Sequence, residues 1–339
     1  MKLTTKILSA IAAVMMICPT GYAQKSKTQQ DTIKVLGVGN SWTRDSMRWL
    51  CAIAKSAGVN MIVGHAYLGG SALHHQYCGI DDPTFTYPHS GKPQIVHNTY
   101  QYWKYTCSEN AVKTPASGPY KNGSAGIGVT LEDVVKDEDW DYMIFQTEGR
   151  LASNFAAYTG KTYKDFDINK LVQRLKSMMA PEVAANIKVM LMTPFSYAQG
   201  NEDHRIHLVQ EFAGGIAPKD QAGWDALYEQ QHAAIQKLSP KLAEFMGGVP
   251  TINVGKAIHD ARADKELSAS GFHLQRSRDN THLSEGMAMY IASLVYAYSI
   301  LDIRRDDVTF YPSAKIDSTI TPNAARKARK IAWKAARKN

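Results

Sequence analysis

The segment that decides the fold lies near the start of the chain and reads Ile33-Lys34-Val35-Leu36-Gly37-Val38, followed by Gly39-Asn40-Ser41. A short apolar run with β-branched residues predicts a buried strand. The glycine and the small polar residues after it predict a tight turn, and a helical pattern runs from about Asp45 to Ala57. The sequence thus predicts a strand–turn–helix unit with Ser41 in the turn.

The same alternation of strands and helices continues along the chain. Further strands are predicted at about residues 60–66, 142–146, 187–192 and 251–254. Further helices are predicted at about residues 168–179, 224–246 and 284–300. Because each right-handed crossover lays a helix against the sheet, this order favours a mainly parallel sheet with helices on both faces. We expect a three-layer α/β/α domain over residues 32–339, with an insertion after the second strand at about 74–130 and a basic helix at about 322–338.

The composition and the first residues indicate an exported globular protein. The chain has 339 residues, 44% hydrophobic and 21% charged, which excludes a disordered, collagen-like or polytopic membrane protein. Lys2 and Lys6 precede an apolar stretch over residues 7–18, and Gly21-Tyr22-Ala23 follows. This pattern is typical of a cleavable signal peptide and is too short for a membrane span. We expect residues 1–23 to be removed and the mature protein to be periplasmic or secreted.

Positive charge is concentrated at the C-terminal end. The formal net charge is +8, yet residues 324–339 carry seven lysines and arginines and no acid. A nucleic-acid binding surface would combine basic residues spread over one face with side chains that contact the bases. This sequence confines its excess positive charge to one terminal helix, so we expect no nucleic-acid partner. We expect the terminal helix to pack Ile331 and Trp333 on the body of the protein. Attraction to an acidic polysaccharide or a membrane surface stays open.

Three cysteines follow the predicted signal peptide, namely Cys51, Cys78 and Cys107. An odd number in an exported protein leaves one thiol free or paired between chains. Cys51 lies on the predicted buried face of a helix, whereas Cys78 and Cys107 flank a long irregular stretch. We therefore expect a Cys78–Cys107 disulfide if one forms. The sequence leaves the oligomeric state open.

Ser41, Asp279 and His282 are the residues that could perform acyl transfer. The predicted turn presents the Ser41 hydroxyl at the carboxyl end of a strand, where parallel sheets have their sites. Asp279 and His282 stand three residues apart at the entry to a late helix. Asp279 can then hold one imidazole nitrogen while the other faces Ser41. The other interpretation is structural: Ser41 is a helix N-cap and the late segment is a loop.

Four segments resemble, in order and spacing, the blocks of the SGNH (GDSL-type) hydrolase superfamily. They are Gly39-Asn40-Ser41-Trp42, Gly69-Gly70, the strand end at Gln146 and Asp279-Asn280-Thr281-His282. More narrowly, the first segment together with Gly69-Gly70-Ser71-Ala72-Leu73-His74-His75 is similar to a group of exported bacterial proteins, the domain of unknown function 4886 (DUF4886). The resemblance implies a flavodoxin-like SGNH hydrolase fold over the whole mature chain.

The resemblance also implies roles for individual residues. Ser41 matches the nucleophile and His282 the general base. Asp279 matches the residue that orients the histidine, and Gly70 matches a glycine whose backbone N–H binds the oxyanion. The implied acyl transfer requires no metal and no organic cofactor.

The sequence departs from the family pattern at two positions. Asn40 replaces the aspartate of the family's Gly-Asp-Ser turn, and the family's third-block asparagine is missing. Gln146 instead resembles the glutamine of the Gln-Gly-Glu-Ser form found in carbohydrate acetylesterases of the superfamily. Its amide either completes the oxyanion hole with Ser41 and Gly70 or only ties loops together.

The predicted insertion is rich in aromatic residues, with seven of them between Tyr77 and Tyr105. They suit stacking on sugar rings, but the alternation over residues 100–105 can equally mark a half-buried strand pair. Neither His74-His75 nor His204 with His207 has the spacing of a metal site, so no metal is expected.

Three further residues are candidates for substrate contact. Trp42, directly after Ser41, is the expected wall of the site, and His74 is expected at the pocket mouth. Glu148 either contacts substrate or forms an ion pair at the rim. Together these features predict an exported serine esterase that removes O-acetyl or other small ester groups from a carbohydrate. A lipase or thioesterase and a non-catalytic glycan-binding protein on the same scaffold are the alternatives.

Overall fold

The strand predicted at the start of the domain is β1 (Ile33–Gly39). The computed structural model describes residues 32–89, 91–107, 128–147, 168–197, 202–268, 274, 281–313, 315–316 and 320–337. All of them belong to one compact unit, Thr32–Asn339.

β1 lies inside a six-stranded sheet. It pairs in parallel with β2 (Met61–Tyr67) on one side and with β6 (Tyr142–Gln146) on the other. The sheet continues in parallel through β7 (Lys188–Met192) to β8 (Thr251–Ile252). The chain order of these five parallel strands across the sheet is 2-1-3-4-5, which is the flavodoxin-like order. The predicted mainly parallel α/β sheet is confirmed.

Helices cover the sheet on both faces. In chain order, the described helices are α1 (Ser41–Met47), α2 (Leu50–Ser56), α3 (Leu73–Asp81), α4 (Leu131–Lys136), α5 (Ile168–Lys176), α6 (Pro181–Asn186), α7 (Glu202–Phe212), α8 (Gln221–Phe245), α9 (Val254–Ala263), α10 (Lys265–Ser268), α11 (Met287–Ile300) and α12 (Pro322–Ala336). Val35 of β1 packs in one apolar cluster with α1, α2, α9, α11 and α12. Leu36 and Val38 pack in another with α3, α4 and α5. Alternate residues of β1 thus point into opposite layers, as strand geometry requires.

The insertion after the second strand begins with α3 and continues through a hairpin of β3 (Thr86–His89) and β4 (Lys92–Ile95). The chain then forms β5 (Gln101–Thr106), which joins the edge of the main sheet antiparallel to β2. Tyr87, Tyr100 and Tyr102 are buried. The interpretation of residues 100–105 as a half-buried strand is therefore confirmed for β5, and these tyrosines belong to the core.

The expected Cys78–Cys107 disulfide is wrong. The structure joins Cys51 to Cys107, with their Cα atoms 4.9 Å apart, and leaves Cys78 as a free, half-buried thiol. The antiparallel direction of β5 explains the pairing, because it brings the backbone N–H of Cys107 to 2.9 Å from the carbonyl oxygen of Met61 at the start of β2. Cys107 packs on the face of the sheet that α2 covers, and α2 carries Cys51. α3, which carries Cys78, covers the opposite face.

The C-terminal part of the chain packs as a pair of helices. α12 is capped by the Thr321 side chain and buries its alanines against the same cluster as α11. Trp333 of α12 meets Tyr298 of α11 edge to face, with the ring centroids 5.0 Å apart. In the part of the chain that the structure describes, no helix combines the length and the apolar character that crossing a membrane demands.

Candidate active site

Ser41 is the first residue of α1 and follows the end of β1 after a single residue. That residue, Asn40, is the N-cap, because its side-chain oxygen accepts a hydrogen bond of 2.9 Å from the backbone N–H of Trp42. The structural interpretation of Ser41 as the cap is therefore not what the structure shows. Capping by Asn40 leaves the half-buried Ser41 hydroxyl to make another contact.

That contact is with His282. The Nε2 atom of His282 lies 2.6 Å from the Oγ atom of Ser41, although the two residues are 241 positions apart in the chain. This distance is within hydrogen-bond reach of a nucleophile and its base. The pair lies at the carboxyl end of β1, between β2 and β6, where the parallel strand order reverses and open α/β sheets form their crevices.

α1 and the start of α2 hold the chain segment that follows His282. The buried carboxylate of Asp45 accepts a hydrogen bond of 3.1 Å from the backbone N–H of Leu283. The indole N–H of Trp49 donates to the carbonyl oxygen of Glu285 at 2.8 Å. One helix thus carries Ser41 at its first residue and fixes the backbone next to His282 with a residue one turn later.

A second set of bonds joins α1 to the helix that follows this segment. The hydroxyl of Ser293 on α11 donates to the carbonyl oxygen of Ser46 at 2.9 Å and accepts from the backbone N–H of Trp49 at 3.0 Å. Both partners are buried. These bonds anchor the far end of the His282 segment to the element that begins at Ser41.

Gly70 lies in a turn beside Ser41. The N–H of Ser71 donates to the carbonyl oxygen of Leu68 at 3.1 Å, and Gly70 has φ +62°, which favours glycine. A Cβ atom on Gly70 would stand 2.6 Å from Nδ1 of His89. Asn40 ties this turn to the Ser41 turn, because its side-chain amide donates to the carbonyl oxygen of Ser71 at 2.9 Å.

The backbone N–H groups of Ser41 and Gly70 have no hydrogen-bond acceptor among the described residues. Donors of this kind, at the end of a sheet and next to a nucleophile, are the groups from which oxyanion holes are built. The geometry therefore brings together a hydroxyl, an imidazole and two candidate oxyanion donors.

Gln146 ends β6 and is fully buried. Its side-chain oxygen accepts 3.3 Å hydrogen bonds from the backbone N–H of Asn40 and from the hydroxyl of Thr43, while its amide N–H donates to the carbonyl oxygen of Thr147. One of the two amide N–H groups is thereby used within the protein. Gln146 thus ties β6 to the Ser41 turn through its oxygen, and the role of its second amide N–H as an oxyanion donor stays a prediction.

The sequence comparison decides the family. The model of the domain of unknown function DUF4886 matches residues 34–335. The chain belongs to the DUF4886 family. A crystal structure of a DUF4886 family protein from Bacteroides uniformis ATCC 8492 has a TM-score of 0.65 and 21% identity, covering 90% of this chain and 95% of that chain.

A looser similarity joins this DUF4886 chain to the periplasmic domain of a lipopolysaccharide acetyltransferase from Salmonella ser. Paratyphi A. The TM-score is 0.36 and the identity 12%, covering 79% of this chain and 82% of that chain. No curated protein matches the sequence.

Two residues predicted to contact substrate lie in the interior of the DUF4886 domain. Trp42 is 3% exposed, because its ring stacks on Phe195 at 4.2 Å and meets Tyr197 edge to face. His74 is 1% exposed and lies beside the ring of His75. Trp42 thus packs in the core below the Ser41 turn and does not form an exposed wall of the site. The buried His74 does not lie at a pocket mouth. Asp279 and Glu148 lie outside the described residues.

Asp45 is the site residue that sequence reasoning missed. Nothing in the sequence distinguishes it from an ordinary helix residue, and its role depends on a contact with Leu283, 238 positions away. The one available signal was its place four residues after Ser41, which becomes one helical turn only because α1 begins at Ser41.

Proposed function

We propose that this protein is a serine esterase of the SGNH type. The observation that carries the proposal is the 2.6 Å contact between Ser41 Oγ and His282 Nε2 at the carboxyl end of β1. A serine hydroxyl is a weak nucleophile by itself and becomes effective when a histidine accepts its proton.

The proposed reaction has two steps. Ser41 Oγ attacks the ester carbonyl carbon while His282 takes the hydroxyl proton. The C–O bond to the alcohol then breaks, and His282 returns the proton to that alcohol. In the second step His282 takes a proton from water and the water oxygen attacks the acyl carbon. The bond from that carbon to Ser41 Oγ then breaks, His282 returns the proton to Oγ, and the carboxylic acid leaves. In this scheme Asp279 orients His282, and neither step needs a metal or an organic cofactor.

The oxyanion formed in each step would bind the backbone N–H groups of Ser41 and Gly70. Each such donor contributes about 3 kcal/mol of transition-state stabilisation. We assign Gln146 a supporting role, because its oxygen accepts from the backbone N–H of Asn40 and from Thr43. The second amide N–H of Gln146 is left as the third donor that the resemblance implies.

We propose O-acetyl and other small esters on a carbohydrate as the substrate class. The signal-peptide pattern over residues 1–23 supports a substrate outside the cytoplasm, in the periplasm or beyond. The bond from one Gln146 N–H to the carbonyl oxygen of Thr147 favours a second candidate, a non-catalytic glycan-binding protein that keeps the scaffold but has a weaker oxyanion hole.

Hydrolysis of p-nitrophenyl acetate and p-nitrophenyl octanoate, with acetate release from acetylated polysaccharides, tests the proposal. We expect kcat/KM for the acetate ester to exceed that for the octanoate ester by at least about tenfold, since a small-ester site cannot place a long chain. A preference for octanoate would identify a lipase or thioesterase. Glycan binding without hydrolysis of any ester would establish the second candidate and overturn the first.

The contact between Asp45 and Leu283 leads to a prediction about positioning. Asp45→Leu removes the acceptor of the Leu283 N–H, and we expect it to lower kcat by about 100-fold with little change in KM, because small displacements of a catalytic group cost rates of this order. Asp45→Asn keeps an acceptor oxygen, and we expect it to stay within about fivefold of the parent. Ser293→Ala, which removes a different bond to α1, is the matched control.

Steady-state kinetics and thermal unfolding of the three variants separate positioning from stability. Equal losses of kcat in Asp45→Leu and Asp45→Asn would contradict a role for the accepted hydrogen bond. A loss of kcat in all three variants that follows their unfolding temperatures would show that the contact is structural only.

A further inference from the structure

A cavity of about 310 Å³ lies one helical turn beyond Ser41 along α1. Its walls come from α1 and α2, from β2 and β5 at the sheet edge, and from the segment after His282. Ser41 and His282 do not line it, but Asp45 and Glu285, which follow them by four and three residues, do. The cavity therefore adjoins the candidate active site without being part of it.

Hydrogen-bond donors and cations converge on this cavity. Arg44, Arg48, His65 and Tyr105 all line it. Burial raises the pKa of Tyr105, while the positive charges of Arg48 and Arg44 act against that rise. Burial, with a further contribution from Arg44, lowers the pKa of His65 to about 3, so this imidazole is neutral at neutral pH.

Neither carboxylate that lines the cavity forms an ion pair with Arg44. Glu285 pairs with Arg48 at 2.6 Å, and Asp45 accepts the hydrogen bond from the Leu283 N–H. Among the residues that the structure describes, no carboxylate pairs with the guanidinium of Arg44, which lies 5.4 Å above the ring of Tyr67. An exposed arginine fork without a partner, at the mouth of a cavity, is suited to bind a carboxylate in a bidentate manner.

His65 supplies a second and independent sign of a ligand. It is 3% exposed, it lines the cavity, and its Nε2 atom has no hydrogen-bond partner among the described residues. A buried polar atom without a partner is unfavourable, so such atoms in native proteins require an explanation. Because Nε2 itself is closed off from solvent, a ligand hydroxyl would supply the missing bond after a movement of the cavity wall.

We propose that the cavity is a binding site for a hexuronate unit, with the sugar carboxylate on Arg44. The apolar side chains of Val63 and Met289 and the ring of Tyr105 offer the walls that a sugar ring needs. The volume is of the size that ligand sites have. As a binding site it stands alone; its part in choosing the ester rests on the proposed function.

Isothermal titration calorimetry with glucuronate, glucose and glucose 6-phosphate tests the site in the full mature chain. We expect glucuronate to bind at least about tenfold more tightly than glucose, a ratio that a single charged hydrogen-bonded pair can supply. Arg44→Gln should abolish this preference and Arg44→Lys should keep part of it. Lys330→Gln, which removes an exposed cation from α12, should bind like the parent.

The outcomes separate this site from the proposed catalysis. Ser41→Ala should keep the full preference for glucuronate, so that binding survives even where ester hydrolysis fails. Equal binding of glucose and glucuronate, no binding of either sugar, or an unchanged preference in a folded Arg44→Gln variant would overturn the proposal. Tighter binding of glucose 6-phosphate than of glucuronate would assign the cavity to phosphate and overturn the carboxylate assignment.

Discussion

Replacement of Ser41 by alanine is expected to lower kcat/KM for p-nitrophenyl acetate by about 10⁴- to 10⁶-fold, the range that removal of a catalytic serine produces. The substitution removes only the hydroxyl group, whose oxygen lies 2.6 Å from His282 Nε2. Because Asn40 caps α1, the helix should not need that hydroxyl. We therefore expect the unfolding temperature of Ser41→Ala to match that of the parent.

Ser56→Ala is the control for this variant. Ser56 is also a serine at a helix end, and its hydroxyl donates to the carbonyl oxygen of Ile53 at 2.8 Å. It should hydrolyse the ester like the parent. Ester hydrolysis that persists in a purified, folded Ser41→Ala variant would assign the chemistry to another residue.

Replacement of His282 by alanine is the second large effect, with an expected loss of about 10³- to 10⁵-fold in kcat. Without the imidazole, nothing in contact with Ser41 Oγ in the described part of the chain can take its proton. Added imidazole can occupy the vacated space, and we expect it to raise kcat of the variant by at least about tenfold.

The rescue by imidazole separates a lost base from a damaged fold. His259→Gln is the control, because His259 is a partly exposed histidine that pairs with Glu229 on another part of the surface. It should show neither the loss nor the rescue. A His282→Ala variant that folds and retains the parent rate would contradict the role of His282 as the base.

The strand–turn–helix around Ser41 could be predicted because its signals are local. Apolar periodicity, one glycine and a small polar residue specify β1, the turn and α1 without information from elsewhere. The helix begins at Ser41, not near Asp45, because the Asn40 side chain caps it. The parallel sheet followed from the alternation of elements, since right-handed crossovers leave few other arrangements.

The disulfide could not be predicted because it depends on which face of the sheet each helix covers. Cys51 and Cys78 both lie on helices, and only the packing of α2 and α3 on opposite faces decides between them. The antiparallel edge strand β5 then brings Cys107 to the α2 side. An irregular stretch between two cysteines is weak evidence for a bridge, because it does not indicate the direction in which the chain returns.

The side chains around Ser41 show the same limit. The position of Gln146 at a strand end was predictable, but the orientation of its amide depends on Asn40, Thr43 and Thr147 together. Trp42 looked like a wall of the site because it follows Ser41. On a helix, neighbouring residues point in different directions, and Trp42 points into the core toward Phe195.

The most direct test of the central claim is covalent labelling of the mature protein with a fluorophosphonate, followed by mass spectrometry of its peptides. Attack by an activated serine oxygen forms an O–P bond and releases fluoride, so the reagent marks a nucleophilic serine without requiring the natural substrate. We expect one adduct, located on Ser41, that is lost in Ser41→Ala and strongly slowed in His282→Ala. An adduct on a different serine, or no adduct on the folded parent, would contradict the assignment of Ser41 as the nucleophile.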